Sequence, residues 1–230
     1  MTVKLEQFDD NDSLLSAFSQ QLASLLKQAI NTKGFANIAV SGGSTPKPLF
    51  QALSKISLPW SKVNVTLADE RWVDASHEAS NERLVRENLL INEAAAANFV
   101  SLTTADENAE DAEAAISSRL AALNLPFDVI ILGMGEDGHT ASLFPCSAQL
   151  EEGFNLKRKE LVIATEPTTA PHQRMSLTLA SIIASNNVFL HITGEKKKKV
   201  FEDALANHSA LEKPIKAVCD ACELKLVWAP

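Results

Sequence analysis

The sequence predicts an α/β fold: a three-layer arrangement with a mainly parallel sheet and helices on both faces. Apolar runs of strand length alternate with segments of helical periodicity, and most runs end in a small or turn-forming residue. The runs are apolar almost without interruption, as strands covered on both faces require.

Ser13–Ile30 returns an apolar residue every three or four positions and predicts the first helix, followed by a strand at Ala36–Val40. Pro46–Ser54 reads as a helix with Pro46 suited to its first turn, and Val63–Ala68 as the next strand. Asn81–Leu90 is helical, Phe99–Leu102 a weaker strand, and Ala109–Leu123 a helix. Asp128–Leu132 and Leu161–Thr165 follow as strands, and Arg174–Ala184 as a helix. Val188–Thr193, Lys196–Ala206 and Leu224–Trp228 complete the alternation as strand, helix and strand. With no internal repeat and no Pro/Gly/Ser-rich linker, residues 1–230 read as one domain.

The 46% hydrophobic content is ample for a core. No apolar stretch approaches the roughly 20 residues of a membrane helix, and the first residues lack the basic and apolar regions of a signal peptide. A cytoplasmic protein that binds neither membrane nor nucleic acid is expected, the latter because the formal charge is −8. An anionic ligand would then need a locally basic site. Cys146, Cys219 and Cys222 are too few for a disulfide framework, and the CxxC spacing of the last two lacks a second metal-spaced pair.

Ligands of open α/β sheets bind beyond the carboxyl ends of the strands, which selects three loops here. Ser41-Gly42-Gly43-Ser44-Thr45 suits an anion cradle, since glycines admit close backbone approach and free N–H groups and hydroxyls donate. The same residues would also serve as a plain turn and N-cap. Asp69-Glu-Arg71 puts three charges directly after a buried strand: Arg71 could hold an anion or oxyanion and Asp69 accept from sugar hydroxyls, or the three could form a solvated loop with an ion pair. Gly133-Met-Gly-Glu-Asp137-Gly-His139 satisfies GxGxxG, but Glu136 and Asp137 would repel a pyrophosphate and Pro145 comes too early for the long helix of a dinucleotide site. It suits instead a general base, His139, held by Asp137. Lys196–Lys199 crowd four lysines at a helix start, against the helix dipole, so that one or two at most face a ligand. Arg174 adds charge nearby. His77, His172, His191 and His208 show no metal-ligand spacing, so neither a metal nor a cofactor is expected.

Together these segments resemble the 6-phosphogluconolactonases, in the superfamily that also holds the glucosamine-6-phosphate deaminases. Ser41–Pro46, Asp69–Val73, Ser80–Arg83, Gly133–Pro145, Arg174-Met-Ser-Leu and Gly194–Lys197 occur in the family's order. The deaminase branch differs at the loops that read here Asp-Glu-Arg-Trp and His-Thr-Ala-Ser-Leu-Phe-Pro, which favours lactone hydrolysis. The resemblance implies a modified Rossmann-like fold, His139 as base, and Arg71 in the active site. It also implies Ser44, Thr45 and their glycines, Arg174 and Lys197 around a 6-phosphate. Further implications are a monomer without cofactor and functional coupling to the glucose-6-phosphate dehydrogenase that makes the substrate. The alternatives are a deaminase or isomerase with Asp69 taking the C2 proton, and a noncatalytic sugar-phosphate sensor.

Overall fold

In the computed structural model, which describes residues 2–230, a seven-stranded sheet forms the middle layer. Its strands are β1 (Thr2–Gln7), β2 (Ala36–Val40), β3 (Val63–Leu67), β5 (Asn98–Phe99), β6 (Val129–Leu132), β9 (Val188–Thr193) and β10 (Glu223–Ala229), in the order β1-β10-β9-β6-β2-β3-β5. Every pairing in it is parallel. A second, antiparallel sheet joins β4 (Asp69–Arg71), β8 (Arg174–Leu177) and β7 (Val162–Thr165) in the order β4-β8-β7. The helices are α1 (Asn11–Lys33), α2 (Pro46–Leu53), α3 (Asn81–Asn88), α4 (Glu113–Ala121), α5 (Leu150–Gly153), α6 (Leu179–Ile183), α7 (Glu195–Asn207) and α8 (Ile215–Ala221).

Local chemistry sets the ends of α1. Asp10 accepts the Ser13 N–H at 2.7 Å, and Gly34, at φ 90°, closes the helix in a conformation that a side chain would oppose. Its buried stripe, Leu14, Phe18, Leu22, Leu26 and Ile30, repeats every four residues and packs on the sheet core. Burying each such side chain contributes about 1.5–3 kcal/mol, enough to fix the helix where propensity alone would not. At the opposite end of β2, Asp128 accepts the Asn37 N–H at 2.7 Å and pairs with Lys33 at 2.9 Å, which ties the entry of β6 to that of β2.

The mainly parallel, helix-covered sheet agrees with the expectation; the second sheet does not follow from it. Leu161–Thr165 was expected in the parallel sheet and lies in the antiparallel one as β7. Arg174, expected to open a helix, begins strand β8, and the helix shrinks to Leu179–Ile183. Met175, Leu179 and Ile182 fit helical spacing, but Met175 and Leu177 also fit period two. All four residues of β8 are buried between β4 and β7, so pairing with distant segments overrides the local pattern. Phe99–Leu102 pairs only through Asn98–Phe99 at the sheet edge. The pattern also misses β1, an edge strand with charged Lys4 and Glu6, and the short α8. Among the described residues no helix is long and apolar enough to cross a membrane.

Glu70 is the unexpected pillar of the second sheet. The three charges after β3 are not a solvated loop: Glu70 is 1% exposed and accepts from the N–H groups of Arg71, Asn81 and Glu82, each at 2.7 Å, and from the Ser80 hydroxyl at 3.0 Å. Burial pushes its carboxyl up, and these donors pull against that shift. The carboxylate thereby anchors the positive end of α3 to the strand that carries Asp69 and Arg71. Glu70→Gln would aim an amide NH₂ at donors already present. It should lower unfolding free energy by about 2–4 kcal/mol in urea titration.

Candidate active site

The parallel sheet reverses its winding between β2 and β6: the chain runs outward through β3 and β5, then returns to pair β6 with the other edge of β2. Loops leaving two such strands diverge and open a crevice at their carboxyl ends. A cavity of about 300 Å³ occupies that place, under the loops after β2 and β6 and beside β4, β8 and the start of α7.

The loop after β6 is built around His139. Its Nδ1 lies 2.6 Å from Asp137 Oδ1, and its backbone N–H donates to the same oxygen at 3.2 Å. An ionised carboxylate only accepts, so Nδ1 carries a proton, and in the neutral imidazole Nε2 is the nitrogen with the free lone pair. Burial pushes the Asp137 carboxyl up, but the hydrogen bond and charge interaction with His139 outweigh it and leave it below the usual range. Gly135 is required here because a Cβ would collide with both His139 Nδ1 and Asp137 Oδ1. The turn closes through Gly135 N–H to His139 O at 2.9 Å and Thr140 Oγ1 to Gly133 O at 2.8 Å. Phe144 stacks on the imidazole with ring centroids 4.0 Å apart, fixing its other face.

Arg71 and Arg174 face each other as register partners across β4 and β8. Arg71 donates to Ala79 O at 2.6 Å and Arg174 to Pro171 O at 3.2 Å, yet the buried Nε of each has no partner. Burial first, and then the neighbouring Arg71 charge, push the Arg174 guanidinium down. Two adjacent guanidinium groups, Arg174 buried and Arg71 half-buried, concentrate positive charge that an anion would stabilise. Phe144, stacked on the base, also has its ring centroid 5.7 Å from the Arg174 guanidinium carbon.

Across the cavity, Gly42, Gly43, Ser44 and Thr45 lead into α2. Thr45 makes no side-chain cap, so the N-cap reading fails there and its hydroxyl is not used by the helix. Gly42 must lack a side chain because Asn81 fills that space, and Gly43 has φ 101°. Of the four lysines only Lys197 lines the cavity; Lys196 pairs with Glu136 at 2.7 Å and Lys198 sits over the Trp228 ring at 3.9 Å. Lys197 donates to Met134 O at 2.6 Å, which spends one of its three protons, and burial pushes its ammonium down. Asp69 also lines the cavity, but its Oδ2 accepts the Ser142 hydroxyl at 2.6 Å.

Apart from Asp137, which stands behind His139, every residue expected at the site from sequence lines this one cavity. Ser41, Asn81 and His191 line it too; the first two lie in segments singled out from sequence without a role of their own, and His191 was not expected there. Ser41 accepts the Gly133 N–H at 3.2 Å and joins the two main loops; Asn81 donates to Asp69 O at 2.8 Å. For Ser41 and His191 the available signal was a polar residue inside or directly after an apolar run. Cys219 and Cys222 lie outside the cavity lining, and burial pushes their thiols up to about 12 and about 11.

Residues 9–228 match the family described as glucosamine-6-phosphate isomerases/6-phosphogluconolactonase. The chain belongs to this family. Within it, the chain is 43% identical over 232 residues to a Rhizobium meliloti protein named 6-phosphogluconolactonase, covering 100% of both. A crystal structure of a 6-phosphogluconolactonase from Shewanella baltica superposes with a TM-score of 0.95 at 44% identity, covering 100% of this chain and 98% of that one. One of a putative 6-phosphogluconolactonase from Neisseria gonorrhoeae gives 0.89 at 38% identity, with 100% of both chains covered.

Gly135→Ala should force His139 away from Asp137. The hydrogen-bonded imidazole proton, expected at low field in the proton NMR spectrum of the parent, should then disappear while the fold persists.

Proposed function

We propose that the protein hydrolyses 6-phospho-D-glucono-1,5-lactone to 6-phospho-D-gluconate, the lactone step of the oxidative pentose phosphate pathway. The observation that carries this reading is a carboxylate-oriented imidazole sharing one cavity with an arginine pair and a lysine. Relatives of that name over the full chain length support it.

A δ-lactone is an activated ester, so its hydrolysis needs only a deprotonated water and a stabilised tetrahedral oxyanion. His139 Nε2 takes a proton from water as the oxygen attacks C1, and the imidazolium returns a proton to the departing ring oxygen. Asp137 keeps the ring in the required tautomer and stabilises its charged form. Arg71, which lines the cavity, stabilises the oxyanion. The glycines with Ser44 and Thr45, together with Arg174 and Lys197, hold the 6-phosphate, and Asp69 accepts from a sugar hydroxyl. Binding at that end fixes C1 against the water. The enzyme acts directly after the dehydrogenase that makes the lactone, as a monomer in the cytoplasm.

The deciding measurement is acid release from freshly generated lactone, compared with its spontaneous hydrolysis. Ammonia release from glucosamine 6-phosphate would point to the deaminase branch instead, and tight ligand binding without turnover to a sensor. His139→Ala should lower turnover by about 10²-fold or more with phosphate-ligand affinity nearly intact. Arg174→Ala and Lys197→Ala should mainly raise KM; unchanged KM in both would refute the phosphate assignment.

A further inference from the structure

Arg71 and Arg174 are each held at the guanidinium by a loop carbonyl, and the two loops touch each other. Arg71 donates to Ala79 O at 2.6 Å in the segment after β4, and Arg174 to Pro171 O at 3.2 Å in the segment before β8. The β4–β8 ladder and the bond from Trp72 N–H to Gln173 O at 2.7 Å join the roots of these loops. Farther out, two exposed histidines meet: the rings of His77 and His172 lie edge to face, with 5.6 Å between centroids and 75° between planes.

The two loops differ in how they are braced. Around His77 the chain is tied to itself: His77 N–H donates to Asp74 O at 2.8 Å, Ser80 N–H to His77 O at 3.0 Å, and Ala79 N–H to His77 Nδ1 at 3.0 Å. Arg83 adds a bond to Ser76 O at 2.8 Å. His172 instead has φ 69°, a left-handed backbone that a side chain opposes. Rotation about its N–Cα bond sets where the preceding Pro171 carbonyl points relative to the strand that follows, so this φ aims the carbonyl back at Arg174. An opposed backbone conformation persists only where its surroundings enforce it. The ring of His77, fixed by its own loop, is in contact with the His172 ring and in place to do so.

We propose that His77 and His172 are positioning residues for Arg174: the braced His77 ring backs the His172 ring and so keeps the Pro171 carbonyl on the guanidinium. An arginine held in this way meets its ligand already ordered, and less binding energy goes into ordering it. The consequence for substrate rests on the reading of Arg174 as a phosphate-binding residue; the coupling between the loops does not.

The test uses His77→Asn, whose side chain can still accept the Ala79 N–H, and His172→Asn, which tolerates a left-handed backbone, so that each variant removes one ring. In ¹⁵N relaxation of the unliganded protein, the Nε–H order parameter of Arg174 should fall in both variants and that of Arg71 in neither. KM for the phosphorylated lactone should rise about two- to tenfold, the scale of one aromatic pair, with kcat nearly unchanged. KM for unphosphorylated glucono-δ-lactone should stay the same, and the double variant should be no worse than either single one. An undisturbed Arg174 in His77→Asn, a loss that falls on kcat, or additive losses in the double variant would overturn the proposal. If Arg174 loses order in both variants of a parent that does not hydrolyse the lactone, the coupling stands and the lactonase reading alone is refuted.

Discussion

The reversal of strand order between β2 and β6 is the constraint on which the site depends. A parallel sheet covered by helices leaves its strand ends as the only edge where loops can converge, and at a winding reversal two adjacent loops must part. Here the parting loops are Ser41–Thr45 and Gly133–His139. Ser41 holds them at a fixed separation through its hydrogen bond to Gly133, so the gap is a defined cavity and not merely a space between mobile turns.

The second sheet completes this crevice with charge. A chain of net charge −8 would repel an anion at long range, yet β4 and β8 place two guanidinium groups side by side and α7 adds a half-buried ammonium. Such an arrangement is unfavourable in an empty protein, and it is held by interactions made elsewhere. Glu70 anchors β4 to α3, Asp69 is locked by Ser142, and Phe144 stacks on the base with the Arg174 guanidinium over its ring. The folded core meets the cost of holding the cationic groups together.

Much of this was legible from residues near one another in sequence. The βα alternation, the glycine turn that pairs Asp137 with His139, and the Gly42-Gly43 turn before Pro46 are local patterns, each with a local physical cause. The readings that failed did so where pairing partners are far apart. Arg174 has a helix-compatible sequence, but its neighbours in space are Arg71 and Thr165, and their ladders make it a strand. Glu70 looked like one charge among three, and only the approach of Ser80–Glu82 shows that it is a buried cap.

By itself the sequence determined the fold class, the carboxyl-end loops, the histidine–aspartate pair and the family, because these depend on short-range periodicity, turn chemistry and motif order. Only the tertiary structure decided that Thr45 keeps its hydroxyl free of the helix and that Arg71 stands against Arg174. It also decided that His191 is buried with neither ring nitrogen partnered. The physical reason is the same in each case: a side chain's partners are set by strand register and helix rotation, which are fixed by contacts between segments distant in the chain.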